Sequence, residues 1–211
     1  MEYSEKQLQI IEAAERLFAT NGYEGTSVRD IAQEAGVNLA MISYYFGSKE
    51  KLMEALFDCR GGYIKFTMEN VIKNEELSPL QKINVLIDAY IEKIFTQQYF
   101  HRIMAREQMS RHFGESVISA MITQAKKKNQ ELIGQLIQEG QKKGIFKKRI
   151  DIPLMLMTMF GTANQLITTQ HYYRDINNMQ DVPDDEFQKH IKKKLSHHLK
   201  TLFKAILTYE A

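Results

Sequence analysis

The chain has 211 residues, 44% of them hydrophobic and 26% charged, enough to bury one large or two small cores. A net charge of +2 gives no general attraction for nucleic acid, and no stretch approaches the roughly 20 apolar residues that a membrane span needs. The single Cys59 has no partner for an internal disulfide or a thiolate zinc site, and the charged first twenty residues lack the apolar centre of a secretion signal, so a reducing, cytoplasmic setting is expected.

Runs with helical period cover most of the chain, and its three prolines stand at 79, 153 and 183; an all-α protein of about nine helices is expected. Ser4, with Gln7 three residues on, opens the first helix, whose apolar face is Ile10, Ile11, Ala14, Leu17 and Phe18 before Asn21-Gly22. Ser27 and Asp30 repeat that start signal for a short helix carrying Val28, Ile31, Ala32 and Ala35. After Gly36, Asn38 caps a third helix that Phe46-Gly47 stops, and Ser48 caps a fourth running to about residue 73.

Longer helices follow. Ser78-Pro79 begins one lined by Ile83, Leu86, Ile87, Tyr90, Ile94 and Phe95; another crosses His101 to Arg111, and a third runs from about Glu115 to Lys143. Asp151 and Pro153 start LMLMTMFGTANQLITTQ, apolar nearly all round and therefore expected to be buried on several sides. The last helix, about Asp184 to Tyr209, places Phe187, Ile191, Leu195, Leu199, Leu202 and Ile206 on one face. The lysine clusters at 126–128, 142–143, 147–149 and 192–194 read as solvated helix faces.

Two short helices joined by a glycine turn and braced by longer ones describe a helix-turn-helix module, or a three-helix unit serving only as structure. In the module, Asn38 to Phe46 is the helix offered to the major groove. Met41 or Ile42, with Phe46, turns inward, leaving Asn38, Leu39, Ser43, Tyr44 and Tyr45 for DNA, while Ser27, Ser48 and Lys49 at helix starts hold phosphates. The stretches AAERLFATNGYEGTSVRDIA, AGV and YYFGSKEKL closely resemble the N-terminal domain of the tetracycline-repressor (TetR) family of one-component transcriptional regulators. The resemblance covers roughly the first 55 residues. It implies a homodimer bound to a palindromic double-stranded DNA operator, acting as a repressor that a small-molecule effector releases. The domains would be 1–50, with the linking helix 48–73 starting at its end, and 51–211 for effector binding and dimerisation.

Two departures from the family pattern stand out, Leu39 and Met41. The helix contains no Arg or Lys, so a bidentate Arg cannot read guanine there, and Leu39 is free to pack on thymine methyl groups. Residues 1–50 hold four basic residues against eight acidic ones, which points to modest non-specific affinity.

No enzyme is expected, because G-x-S-x-G, H-E-x-x-H and G-x-x-x-x-G-K are all missing. The six histidines, at 101, 112, 171, 190, 197 and 198, include no i, i+4 pair, so neither a metal site nor a cofactor is expected. The alternative reading is a helix-turn-helix that binds another protein rather than DNA. Candidate ligand-binding residues are Tyr90, Met104, Met121, Met155, Met159, Phe160, Asn164 and Tyr172, a Met- and aromatic-rich set suited to a mainly apolar effector. Leu195, Leu199, Leu202 and Ile206 are the candidate dimer interface, with the 154–167 run. Gly61-Gly62 inside the fourth helix reads as a hinge or as a close helix contact.

Overall fold

The computed structural model describes residues 3–110 and 114–209, and for 63–65 the backbone alone. Among the described residues there are ten helices and no strand: α1 (Glu5–Asn21), α2 (Val28–Glu34), α3 (Leu39–Phe46), α4 (Lys49–Lys73), α5 (Pro79–Thr96), α6 (Gln98–Gln108), α7 (Val117–Lys142), α8 (Ile152–Thr168), α9 (Gln170–Ile176) and α10 (Asp184–Leu207). Arg111, expected above as a helix end, and His112 lie outside the described residues.

The start signals work as hydrogen bonds. Gln7 N donates to Ser4 Oγ at 3.3 Å while Ser4 N donates to Gln7 Oε1 at 3.0 Å, so two otherwise orphaned amides are satisfied at the mouth of α1. Ser27 and Asp30 repeat the box at α2, with 3.2 Å and 2.8 Å bonds. Asp151 accepts from Leu154 N at 2.9 Å and Pro153 occupies the first turn of α8, where its missing amide costs nothing.

The chain folds as two compact units, residues 1–63 with 96–126 and residues 64–95 with 127–211. The first gathers Ile10, Ile11, Ala14 and Phe18 of α1, Ile31 of α2, Ile42 of α3 and Leu52, Met53 and Leu56 of α4 around one core. Phe100 and Ile103 of α6 and Ile118 and Ile122 of α7 are buried in that same core. A boundary at residue 50 therefore does not describe the packing: the apolar faces of α1 and α4 are closed by a later segment of chain. Such closure between residues some 90 apart leaves no local trace in the sequence.

In the second unit Ile83, Ile87, Ile91 and Ile94 of α5 pack with Leu136 and Ile137 of α7, Met155 and Met159 of α8, and Phe187, Ile191, Leu195, Leu199, Phe203 and Leu207 of α10. Lys82 is buried here, its ammonium donating to Ile72 O at 2.8 Å and to Glu139 at 2.9 Å. Hydrogen bonds from Lys143 and then from Lys82 hold the Glu139 carboxyl below its usual range. Gly140 permits a close approach, because a Cβ there would overlap the ring of the buried Phe146.

Two expectations are corrected. The helix from Asp151 is not buried on several sides: Met155, Met159 and Ala163 form its only buried line, while Leu154 and Met157 are 61% and 65% exposed. A helix on one side of a single core spends one stripe on it, and the apolar residues elsewhere on α8 stay outside. The predicted dimer stripe on the last helix fails for the converse reason. Leu195 and Leu199 face the unit's own core and cannot also face a partner, whereas Leu202 and Ile206 are half-buried. α9, which buries no residue, was not anticipated.

Candidate nucleic-acid interface

α3 is eight residues long, too short to persist alone in water, and Ile42 is its one buried side chain. Burying an isoleucine contributes about 1.5–3 kcal/mol, so Ile42, 1% exposed, anchors the helix to the first unit and sets which face points out. Met41 and Phe46 are half-buried. Leu39 and Ser43 stand four apart, as do Ala40 and Tyr44, and these four share the outer face. Leu39 is 43% and Tyr44 82% exposed; Tyr45 is half-buried, its ring 5.1 Å from that of Tyr44 in an edge contact.

The turn before α3 is tightly specified. Gly36 has φ +59°, a left-handed conformation that a side chain would oppose, and Val37 N donates to Ala32 O at 2.9 Å. Gln9 Nε2 reaches from α1 to Ala35 O at 2.7 Å, and Arg16 pairs with Glu34 at 3.1 Å. These bonds fix α2 against α1 and close the turn from which α3 starts.

The predicted phosphate holders fare differently from one another. Ser27 is exposed, but its hydroxyl and amide both donate to the Asp30 carboxylate, at 2.7 Å and 2.8 Å. Those bonds pull the Asp30 carboxyl below its ordinary value and hold its negative charge at the start of α2. Ser48 is exposed and its Oγ accepts from Lys51 N at 3.2 Å, leaving the hydroxyl proton for an outside acceptor. Lys49 is turned inward: its ammonium donates to Tyr23 O at 3.0 Å and Thr26 O at 3.2 Å and lies 4.2 Å from the centre of the Tyr23 ring. It ties α4 to the loop before α2. Burial, with Glu50 and Glu24 nearby, pushes the Tyr23 hydroxyl up to about 12.

Asn38 is exposed but spends its side-chain oxygen on the cap, accepting from Ala40 N at 2.6 Å. Sequence reasoning missed Ala40, exposed between the chosen positions, and Arg29, exposed on α2; helical spacing from Tyr44 was the available signal for the first. It also missed a polar cleft of about 210 Å³ in the first unit, lined by Glu12, Glu15, Arg16, Arg60 and residues 96–99. There Arg60 grips the buried Glu15 through two bonds, at 2.9 Å and 2.5 Å, an arrangement of residues 45 apart that has no sequence signal.

The predicted effector residues do not gather in one unit. Met104 and Met121 border the first core; Tyr90, Met155, Met159 and Phe160 belong to the second, where the Tyr90 and Phe160 rings meet edge-on at 5.2 Å. Asn164 is half-buried and Tyr172 is exposed. Burial raises the Tyr90 hydroxyl and lowers the Lys93 ammonium to about 8. Among the described residues no group of three His, Cys, Asp or Glu could hold a metal ion, and no helix is long and apolar enough to cross a membrane.

Residues 10–56 match the family model described as bacterial regulatory proteins, tetR family, and residues 79–197 that described as tetracyclin repressor-like, C-terminal domain. The chain is 35% identical over 150 residues to a probable HTH-type transcriptional regulator, YttP, of Bacillus subtilis, covering 69% of this chain and 68% of that protein. It is 28% identical over 164 residues to the fatty acid metabolism regulator protein of the same organism, covering 78% and 82%. The crystal structure of the transcriptional regulator FadR from Bacillus subtilis in complex with stearoyl-CoA shares the fold, with a TM-score of 0.66, 22% identity and coverage of 92% and 97%. The helix-turn-helix that binds another protein gives way to these matches: the chain is a DNA-binding transcriptional regulator and belongs to the tetR family.

Proposed function

We propose that the chain is a cytoplasmic repressor that binds a palindromic operator as a homodimer and is released by a mainly apolar, long-chain acyl effector. The observation that carries the DNA-facing assignment is Tyr44, 82% exposed on a helix whose opposite side is pinned by Ile42. A large aromatic side chain that the fold leaves in water, beside Leu39, Ala40 and Ser43, suits a surface completed by a partner. Asn38 and Tyr45 flank that face, and Ser48 offers a hydroxyl to phosphate. Ser27 and Lys49 act indirectly, by fixing the starts of α2 and α4.

Two-fold symmetry of the operator requires two copies of α3 about one helical turn apart, roughly 34–36 Å. The dimer face we propose runs over α8, where Leu154, Met157 and Gly161 point outward at i, i+3 and i+7, with Leu202 and Ile206 of α10 as contributors. The effector reading draws on the stearoyl-CoA held by the similar FadR and on the residue types gathered in the second unit: Tyr90, Phe160, Met155 and Met159, which suit an acyl chain. Asn164 stands on the same helix as the two methionines. Met104, Met121 and Tyr172 drop to the edge of this proposal, the first two because they pack on the other core.

The test is a gel retardation titration on the DNA upstream of the chain's own gene. Tyr44→Ala should fold and dimerise as the parent does and lose at least tenfold in specific affinity. Parental affinity in that variant would refute the DNA-facing assignment of α3.

A further inference from the structure

The outer face of α3 carries an unusual set of groups for reading DNA. It has no cation, and its one amide, Asn38, has its oxygen committed to Ala40 N at 2.6 Å. Reading adenine takes both ends of a carboxamide, the oxygen accepting from N6 and the nitrogen donating to N7. Asn38 can supply only the donor without uncapping α3, which would destabilise that short helix. Guanine reading by a guanidinium or ammonium is absent from the helix altogether. What α3 does present is apolar: the Leu39 side chain, 43% exposed, the Ala40 methyl, and the Tyr44 ring with its hydroxyl, with Ser43 beside them.

The surroundings add little charge: Arg29 on α2 is exposed, but the neighbouring lysines are held within the protein. Lys49 is committed to two carbonyls, Lys51 is paired with Glu54 at 2.7 Å, and Asp30 places a carboxylate at the start of α2. Binding must therefore draw less on phosphate neutralisation than on what the helix meets in the groove. In the major groove the one apolar feature of a base pair is the thymine 5-methyl group.

Resting on the DNA-binding reading above, we propose that α3 reads its half-site through thymine methyl groups, with Leu39 and Ala40 packing on the methyls and Tyr44 supplying the direct hydrogen bond. The operator half-site is accordingly built from A·T pairs at the positions α3 covers. Guanine-bearing pairs are tolerated only beyond them.

The test uses the full-length chain and duplexes selected from a random pool. Selected half-sites should carry consecutive A·T pairs. Replacing a contacted thymine by deoxyuridine, which removes only the methyl group, should weaken binding about fourfold per methyl, the worth of one methyl-sized group withdrawn from water. In Leu39→Ala that penalty should vanish at one position and persist at the others, a coupling that a merely structural role for Leu39 would not produce. Asn38→Ser, which keeps an oxygen for the cap and removes the amide, should select the same sequence. Tight binding that is indifferent to deoxyuridine, or a selected core of G·C pairs, would overturn the inference while leaving DNA binding intact. Failure to select any duplex would overturn the DNA-binding reading and the inference with it.

Discussion

Replacing both Gly61 and Gly62 by alanine should stabilise the protein and weaken its response to effector. Both lie inside α4, and a Cβ built at either meets nothing within 4 Å, so the close helix contact considered from the sequence is not what these glycines serve. Each glycine in a helix interior costs about 1 kcal/mol relative to alanine, through the backbone freedom lost on folding. With no overlap to offset it, the pair should gain about 1–2 kcal/mol. For a chain of this length that corresponds to a rise in Tm of about 2–4 °C per kcal/mol. The pair lies next to the place where α4 passes from the first compact unit to the second, after Tyr63. Stiffening there should oppose any bend of α4 that effector binding exploits, so the ratio of operator affinities without and with the proposed effector should shrink towards one. Calorimetry supplies the first number and operator titrations with and without the proposed effector the second. A lower Tm would mean that the glycines are needed where they stand. A parental affinity ratio in a stabilised, dimeric double variant would refute the hinge.

Gly140→Ala should do the opposite, because its methyl would overlap the ring of the buried Phe146; a loss of about 1–3 kcal/mol is expected by denaturant titration, and Phe146→Leu should restore part of it. Lys93, lowered to about 8 by burial, binds its proton less well folded than unfolded, so its contribution to stability rises as pH climbs from about 8 to the unfolded value near 10.5. Thermal melts across that window should show a rise in the parent that Lys93→Met lacks. Met157→Glu, on the exposed row of α8, should leave the fold unchanged by circular dichroism while light scattering reports a monomer; a stable dimer would move the interface elsewhere.

How much of this was legible in the sequence depended on how far apart the cooperating residues lie. Ser4 with Gln7, Ser27 with Asp30, Asn38 with Ala40 and Asp151 with Leu154 act over two or three residues, so their types alone announced where helices begin. The three-helix module at the start of the chain was readable for the same reason, its turn needing a glycine at a fixed place. Periodicity gave each helix an apolar face but not a destination for it. Leu195 and Leu199 looked like an interface and belong to their own core, while Leu154 and Met157, on a helix expected to be buried on several sides, are left exposed by that core, because a stripe says only that something covers it. Likewise Lys49 and Ser27 have the residue types that grip phosphate, yet the first is held by carbonyls 23 and 26 residues away and the second by a neighbouring carboxylate. A side chain's chemistry belongs to the sequence; whether that chemistry is still free to act is settled by the partners that folding brings within hydrogen-bond reach.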